Sequence, residues 1–129
     1  ARMALARDKL KVARVLFESE HYSDAVSKAY YAMFYASKAL LFALGEDPHK
    51  HQGVVSMFGK KIVKVGLTHP RYGRTLAIAQ QLREEADYSD EYRATRENAE
   101  DAIRDAEDFV NEAQETLKKI QVRGKQNVH

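Results

Sequence analysis

Seven apolar residues, Ala99, Ile103, Ala106, Val110, Ala113, Leu117 and Ile120, follow one another in alternating steps of four and three. That spacing holds one stripe along a single side of a long α-helix, the seam of a helix packed nearly antiparallel in a bundle. The early turns of this helix are acidic, and its end carries Lys118, Lys119 and Arg123, which complements the helix dipole. A seam of this length needs other apolar helix faces to cover it.

The rest of the chain supplies them. A first helix is expected from about Ala4 to Glu18, burying Leu5, Val12 or Ala13, and Leu16. Ser23-Asp24 can cap a second, which runs to Leu44 with Ala25, Ala29, Met33, Ala36 and Leu40 in one stripe. Gly45 is a natural left-handed stop, and Asp47-Pro48 forbids continuation. A weaker third helix starts near His51 and ends at Gly66, with Val54, Phe58, Ile62 and Val65 on one face. Thr68-His69-Pro70 starts a fourth, running to about Ala86. A polar connection, Asp87 to Thr95, leads to the last helix. Alternating strand patterns are absent. The expectation is an all-α, antiparallel up-and-down bundle of four long helices plus a shorter one. It forms one domain over 1–122, with a frayed tail at 123–129.

Composition narrows the function classes. Without cysteine there is no thiolate metal site, no disulfide scaffold and no cysteine nucleophile, which fits a cytoplasmic setting. No run approaches the roughly 18 apolar residues of a spanning helix; Lys28 and Lys38 interrupt the best candidate. The net charge of +2 conceals a balance of +8 over residues 1–83 and −6 over residues 84–129. Such a division provides attraction between helices, or a basic surface free to meet a phosphate backbone.

The second helix also has an unusual side. Tyr31, Tyr35 and Lys38 step by four and three on a face distinct from the apolar stripe. Phenol rings pack well at a half-wet boundary. Two of them in register with a lysine point to an interface with another helix, another subunit or a ligand.

The familiar chemical motifs are missing: no phosphate-cradling glycine loop, no HExxH, no EF-hand loop, and no inward Glu-x-x-His pairs. Neither a metal nor a cofactor is expected. The carboxylates Glu97, Asp101, Asp105, Asp108 and Glu112 lie off the apolar seam and read as a solvated face. Arg83, by contrast, falls in register with Leu76, Ala79 and Ala86, so it projects towards the inner edge of the bundle. A guanidinium there requires a carboxylate, a carbonyl or an anion. Asp87, four residues on, can pair with it structurally or position it for an anion, and Tyr88 follows. His51 heads the third helix, where free backbone N–H groups favour a neutral imidazole. If the fold brings His51 against Arg83 and Tyr88, the set forms a phosphate and acid–base site. Lys60, Lys61, Lys64, Arg71 and Arg74 are the densest basic cluster, a solvated patch or an electrostatic guide for RNA.

Three blocks, AYYAMFYASKALL (Ala29 to Leu41), HQGVVSMFGK (His51 to Lys60) and LREEADY (Leu82 to Tyr88), resemble the HEPN domain in order and spacing. They belong to the pattern of its small prokaryotic branch, and the resemblance extends over about Ala4 to Leu117. It implies a helical bundle that commonly dimerises. It also implies a place beside a minimal nucleotidyltransferase in a toxin–antitoxin pair, and nucleotide or RNA binding. Many HEPN proteins are metal-independent ribonucleases that use an Arg and a His four to six residues apart near the start of the last long helix. Here that region, Glu91 to Asp101, supplies Arg93 and Arg96 but no histidine. A catalytic reading therefore falls on His51 and Arg83, with Asp87, Tyr88, Arg93 and Arg96 as anion-binding candidates. A non-catalytic partner module and a self-associating scaffold are the other readings.

Overall fold

The computed structural model describes residues 2–88 and 93–126. Among them are five α-helices and no strand: α1 (Arg2–Glu18), α2 (Tyr22–Ala43), α3 (His51–Phe58), α4 (Pro70–Tyr88) and α5 (Arg96–Gln126). α3 continues without a break into a π-helical turn, Gly59–Val63.

Cross-helix contacts set the directions. Arg7 of α1 hydrogen-bonds Asn111 and Gln114, while Arg14 pairs with Glu107, so α1 and α5 are antiparallel. Tyr72 hydrogen-bonds Asp108, and Leu82 shares a cleft with Ala102, so α4 also runs against α5. α2 instead lies parallel to α5: Ser23 accepts a hydrogen bond from the Ala94 N–H, and Ala39 lines a depression with Leu117. The α5 seam therefore faces a parallel neighbour, flanked by antiparallel α1 and α4. Close packing of this central pair is possible because its buried stripes are rich in alanine. Ala25, Ala29, Ala32 and Ala36 of α2 and Ala99, Ala106 and Ala113 of α5 are all under 4% exposed. Larger side chains fill the space between them and α3. Phe58 and Phe109 lie 5.4 Å apart, and Tyr72 meets Phe109 edge-on at 6.0 Å. Each fully buried side chain of this kind is worth about 1.5–3 kcal/mol.

Three helices end in the same way. Just past each helix one N–H returns to a carbonyl five positions back, and the residue before that donor takes a positive φ. Gly45 (φ 84°) ends α2, with Glu46 N–H bonded to the Leu41 carbonyl at 2.9 Å. Gly66 (φ 82°) ends the α3–π segment, with Leu67 bonded to Ile62 at 2.9 Å. At the end of α1 the position belongs to Glu20 (φ 63°), and His21 bonds to Leu16 at 2.8 Å. α5 starts from a reciprocal cap: the Thr95 hydroxyl accepts from Asn98 N–H at 3.0 Å, and the Asn98 side chain accepts from Thr95 N–H at 3.1 Å.

Several expectations need correction. α1 buries the expected Ala13 together with Ala6 and Leu10, and Leu16 packs half-buried against the core, but Leu5 is exposed. Val65 is also exposed, because the wider π turn rotates the end of the α3 stripe outward. α2 starts at Tyr22 without a side-chain cap hydrogen bond, so Ser23-Asp24 does not cap it; Ser23 instead holds the α5 entry. α4 extends through Asp87 and Tyr88, where the Arg83–Asp87 pair spans its last turn. α5 continues through Gly124 to Gln126, past the expected start of the tail at 123. The rest of the expected tail, 127–129, and residues 89–92 of the expected connection lie outside the described residues.

α4 approaches α3 closely at one point. A Cβ on Gly73 would meet the Val63 Cγ2 at 3.2 Å, so the absence of a side chain sets this contact. Among the described residues, no helix is long and apolar enough to cross a membrane.

Candidate anion-binding site

Three helices converge where the middle of α2 meets the start of α3 and the end of α4. The Gly45 stop and the extended Lys50 reverse the chain, so that His51 opens α3 directly over α2. Its imidazole stacks on Phe34 at 4.3 Å and meets Tyr31 edge-on at 5.8 Å. The Tyr30 hydroxyl lies 2.5 Å from His51 Nδ1. Tyr30 itself is 1% exposed.

Arg83 enters from α4. Its guanidinium carbon lies 5.4 Å from the Tyr30 ring centre and 5.8 Å from that of Tyr31, within cation–π range of both. Nη1 donates to Asp87 Oδ2 at 2.8 Å and to the Tyr31 hydroxyl at 3.3 Å. Nε is buried and has no hydrogen-bond partner. A desolvated donor of this kind on a cation costs free energy until an acceptor reaches it.

The electrostatics follow from this geometry. Burial, and then the Arg83 charge, hold the His51 imidazole below its ordinary value; Asp87 and Glu84 pull weakly the other way. Burial raises the Tyr30 hydroxyl well above the usual phenol value, outweighing the opposing Arg83 charge. The site thus combines a neutral imidazole, a protonated phenol and a fixed guanidinium. That set can take an anion and move a proton next to it.

The sequence candidates divide cleanly. His51, Arg83 and Asp87 come together, with Tyr31 supplying the hydroxyl between them. Tyr88 does not join: it is 88% exposed, because one step beyond Asp87 turns it about 100° around α4, away from the site. Arg93 is exposed, and Arg96 lies over the Phe17 ring at 5.1 Å, on the α1 side of the bundle. Tyr31, Tyr35 and Lys38 are half-buried rather than a free face. Tyr35 packs edge-on against Phe34, and Lys38 lies over the Phe34 ring and 3.9 Å from Asp47. Lys60, Lys61, Lys64, Arg71 and Arg74 are exposed. Lys61 lies 3.9 Å from Glu46 and Arg71 lies 3.6 Å from Asp108, so this patch is partly neutralised.

Sequence reasoning missed Tyr30 and Phe34. A signal existed: Val26, Tyr30, Met33 and Ser37 repeat the four–three step one position along from the alanine stripe, and all four are buried.

The all-helical bundle fits the class that the three sequence blocks resemble. The sequence model of the HEPN domain matches residues 2–117, and the chain belongs to that family. It is 42% identical over 120 residues to a protein of Methanocaldococcus jannaschii named "Putative toxin", covering 93% of this chain and 89% of that one. A second protein of that organism with the same designation is 34% identical, over 87% of this chain and 76% of its own length. A "UPF0332 protein" of Thermotoga maritima is 33% identical, over 89% of this chain and 87% of its own length.

Proposed function

We propose that this chain is a toxin-type HEPN module whose Arg83–His51 site binds the phosphate of a nucleotide or of RNA. It acts in a pair with a minimal nucleotidyltransferase, and as a homodimer. One observation carries the reading: the Arg83 guanidinium, its side chain 15% exposed, is held at Nη1 by Asp87 and Tyr31 and has a buried Nε without a hydrogen-bond partner. A guanidinium fixed on one side retains a fork for phosphate on the other. The designation of the Methanocaldococcus relatives supports the toxin side of the reading.

The test is a titration of adenosine monophosphate and a short RNA across a salt series. Affinity falls as salt rises, and Arg83→Gln weakens binding by roughly ten- to a hundred-fold, the scale of a charged hydrogen bond. Equal affinities for wild type and Arg83→Gln would defeat the reading. Micromolar association with a nucleotidyltransferase encoded beside this chain tests the pairing, and sedimentation tests the dimer.

A second reading, a metal-independent endoribonuclease, is favoured by the neutral imidazole beside the cation. It requires RNA cleavage in the presence of chelator, leaving cyclic phosphate ends, and loss of cleavage in His51→Gln.

A further inference from the structure

A separate depression of about 100 Å³ opens between α2, α4 and α5. Val26 and Met33 form its floor, Ala79 and Leu82 one wall, and Asp105 the other. Ile78, at its lip, is 57% exposed. α4 buries only Tyr72, Leu76 and Gln80. Its apolar positions Ile78, Ala79, Leu82 and Ala86 therefore form a strip that the bundle covers only in part.

The α5 wall has the opposite character. Asp101 lies 3.6 Å from Arg104, and Asp108 lies 3.6 Å from Arg71. Between them, Asp105 has no ion pair among the described residues. Burial and the two neighbouring aspartates push its carboxyl upward, so a cation placed there would relieve the repulsion.

We propose that this groove docks a basic amphipathic helix of another protein, with an apolar side chain entering beside Ile78 and Leu82 and a lysine or arginine reaching Asp105. Size supports a protein occupant. The depression is well below the roughly 300–1,000 Å³ of clefts that enclose a whole small molecule, and it suits the end of one inserted side chain. Charge selects the partner. A second copy seated here by a two-fold axis would bring its own acidic wall towards this one. The groove shares Tyr30 with the Arg83–His51 site but opens along Ile78, Ala79 and Leu82, and its occupancy stands whether or not that site binds phosphate.

The probes are three synthetic helices sharing one leucine face, with polar faces of lysine, glutamate or glutamine. Binding is followed by fluorescence anisotropy on the full chain. The lysine-faced helix binds at least tenfold tighter than the glutamate-faced one. Asp105→Lys abolishes that preference, and Ile78→Ser weakens all three helices, while circular dichroism reports an intact bundle in both variants. Equal binding of the three helices, or affinities that ignore Ile78→Ser, overturns the proposal. So does a self-association that Ile78→Ser abolishes, since a second copy would then occupy the groove.

Discussion

The Tyr30 hydroxyl and His51 Nδ1 lie 2.5 Å apart, although one residue sits in the core of α2 and the other opens α3. Burial keeps the proton on the phenol, so the hydroxyl donates to Nδ1 and the proton of His51 resides on Nε2. Nitrogen-resolved NMR of the imidazole is expected to report this tautomer. In Tyr30→Phe the ring packing survives but the lock is lost. The two tautomers then mix, and stability falls by about 1–2 kcal/mol in urea titrations. A single unchanged tautomer in that variant contradicts the assignment.

His51 also fixes the sign of a pH effect. Its folded value lies below the ordinary 6.5, so the unfolded chain takes the proton first as pH falls. The stability tied to the neutral ring is fully present above about 6.5 and declines below it, levelling off under the lowered folded value. Urea midpoints measured between about pH 7.5 and 5 should fall with pH in the wild type and fall less in His51→Gln. Parallel curves would assign the dependence to other groups.

Asp87 competes for Arg83. Its carboxylate occupies Nη1 at 2.8 Å and lowers the positive potential that an incoming phosphate meets. Asp87→Asn retains an oxygen acceptor and removes the charge. It is expected to tighten sulfate binding severalfold in calorimetry, most at low salt. Weaker sulfate binding in Asp87→Asn would mean that the charge serves to hold the guanidinium in place.

Glu20 occupies a left-handed position that the ends of α2 and of the α3–π segment assign to glycine. A side chain with a Cβ costs roughly 1–2 kcal/mol in that region. Glu20→Gly is therefore expected to raise the thermal midpoint by a few degrees. The gain is smaller than the strain because glycine also frees the unfolded chain.

The core responds on a larger scale. Phe109 is 1% exposed between Phe58 and Tyr72. Phe109→Ala should cost about 3–5 kcal/mol in chemical denaturation. A cost under about 1 kcal/mol would mean that the surrounding helices close the space.

The helical skeleton was legible because periodicity and breakers are local. The α5 seam, the α2 alanine stripe, and the stops at Gly45 and Gly66 all depend on residues within a turn or two of one another. The boundary set by Glu20 was hidden, since nothing in a glutamate announces a positive φ. In the candidate site, Arg83 was readable from its register with Leu76 and Ala79, and Asp87 from its spacing. Tyr88 misled, because adjacency in sequence places neighbours on different sides of a helix. The roles of Tyr30 and Phe34 depend on how α3 folds back over α2. That contact spans some twenty residues and is set by tertiary packing.

The bare backbone of Gly73 gives α4 a pivot. Arg83 lies ten residues further along, about 15 Å at the usual helical rise. A methyl group at the pivot would leave two outcomes: the Val63 side chain yields, or the rod swings. A swing of about five degrees displaces the far guanidinium by roughly 1 Å, enough to separate it from Tyr31. In the second outcome the aim of the charged tip is set by a residue with no side chain, remote from the site it serves.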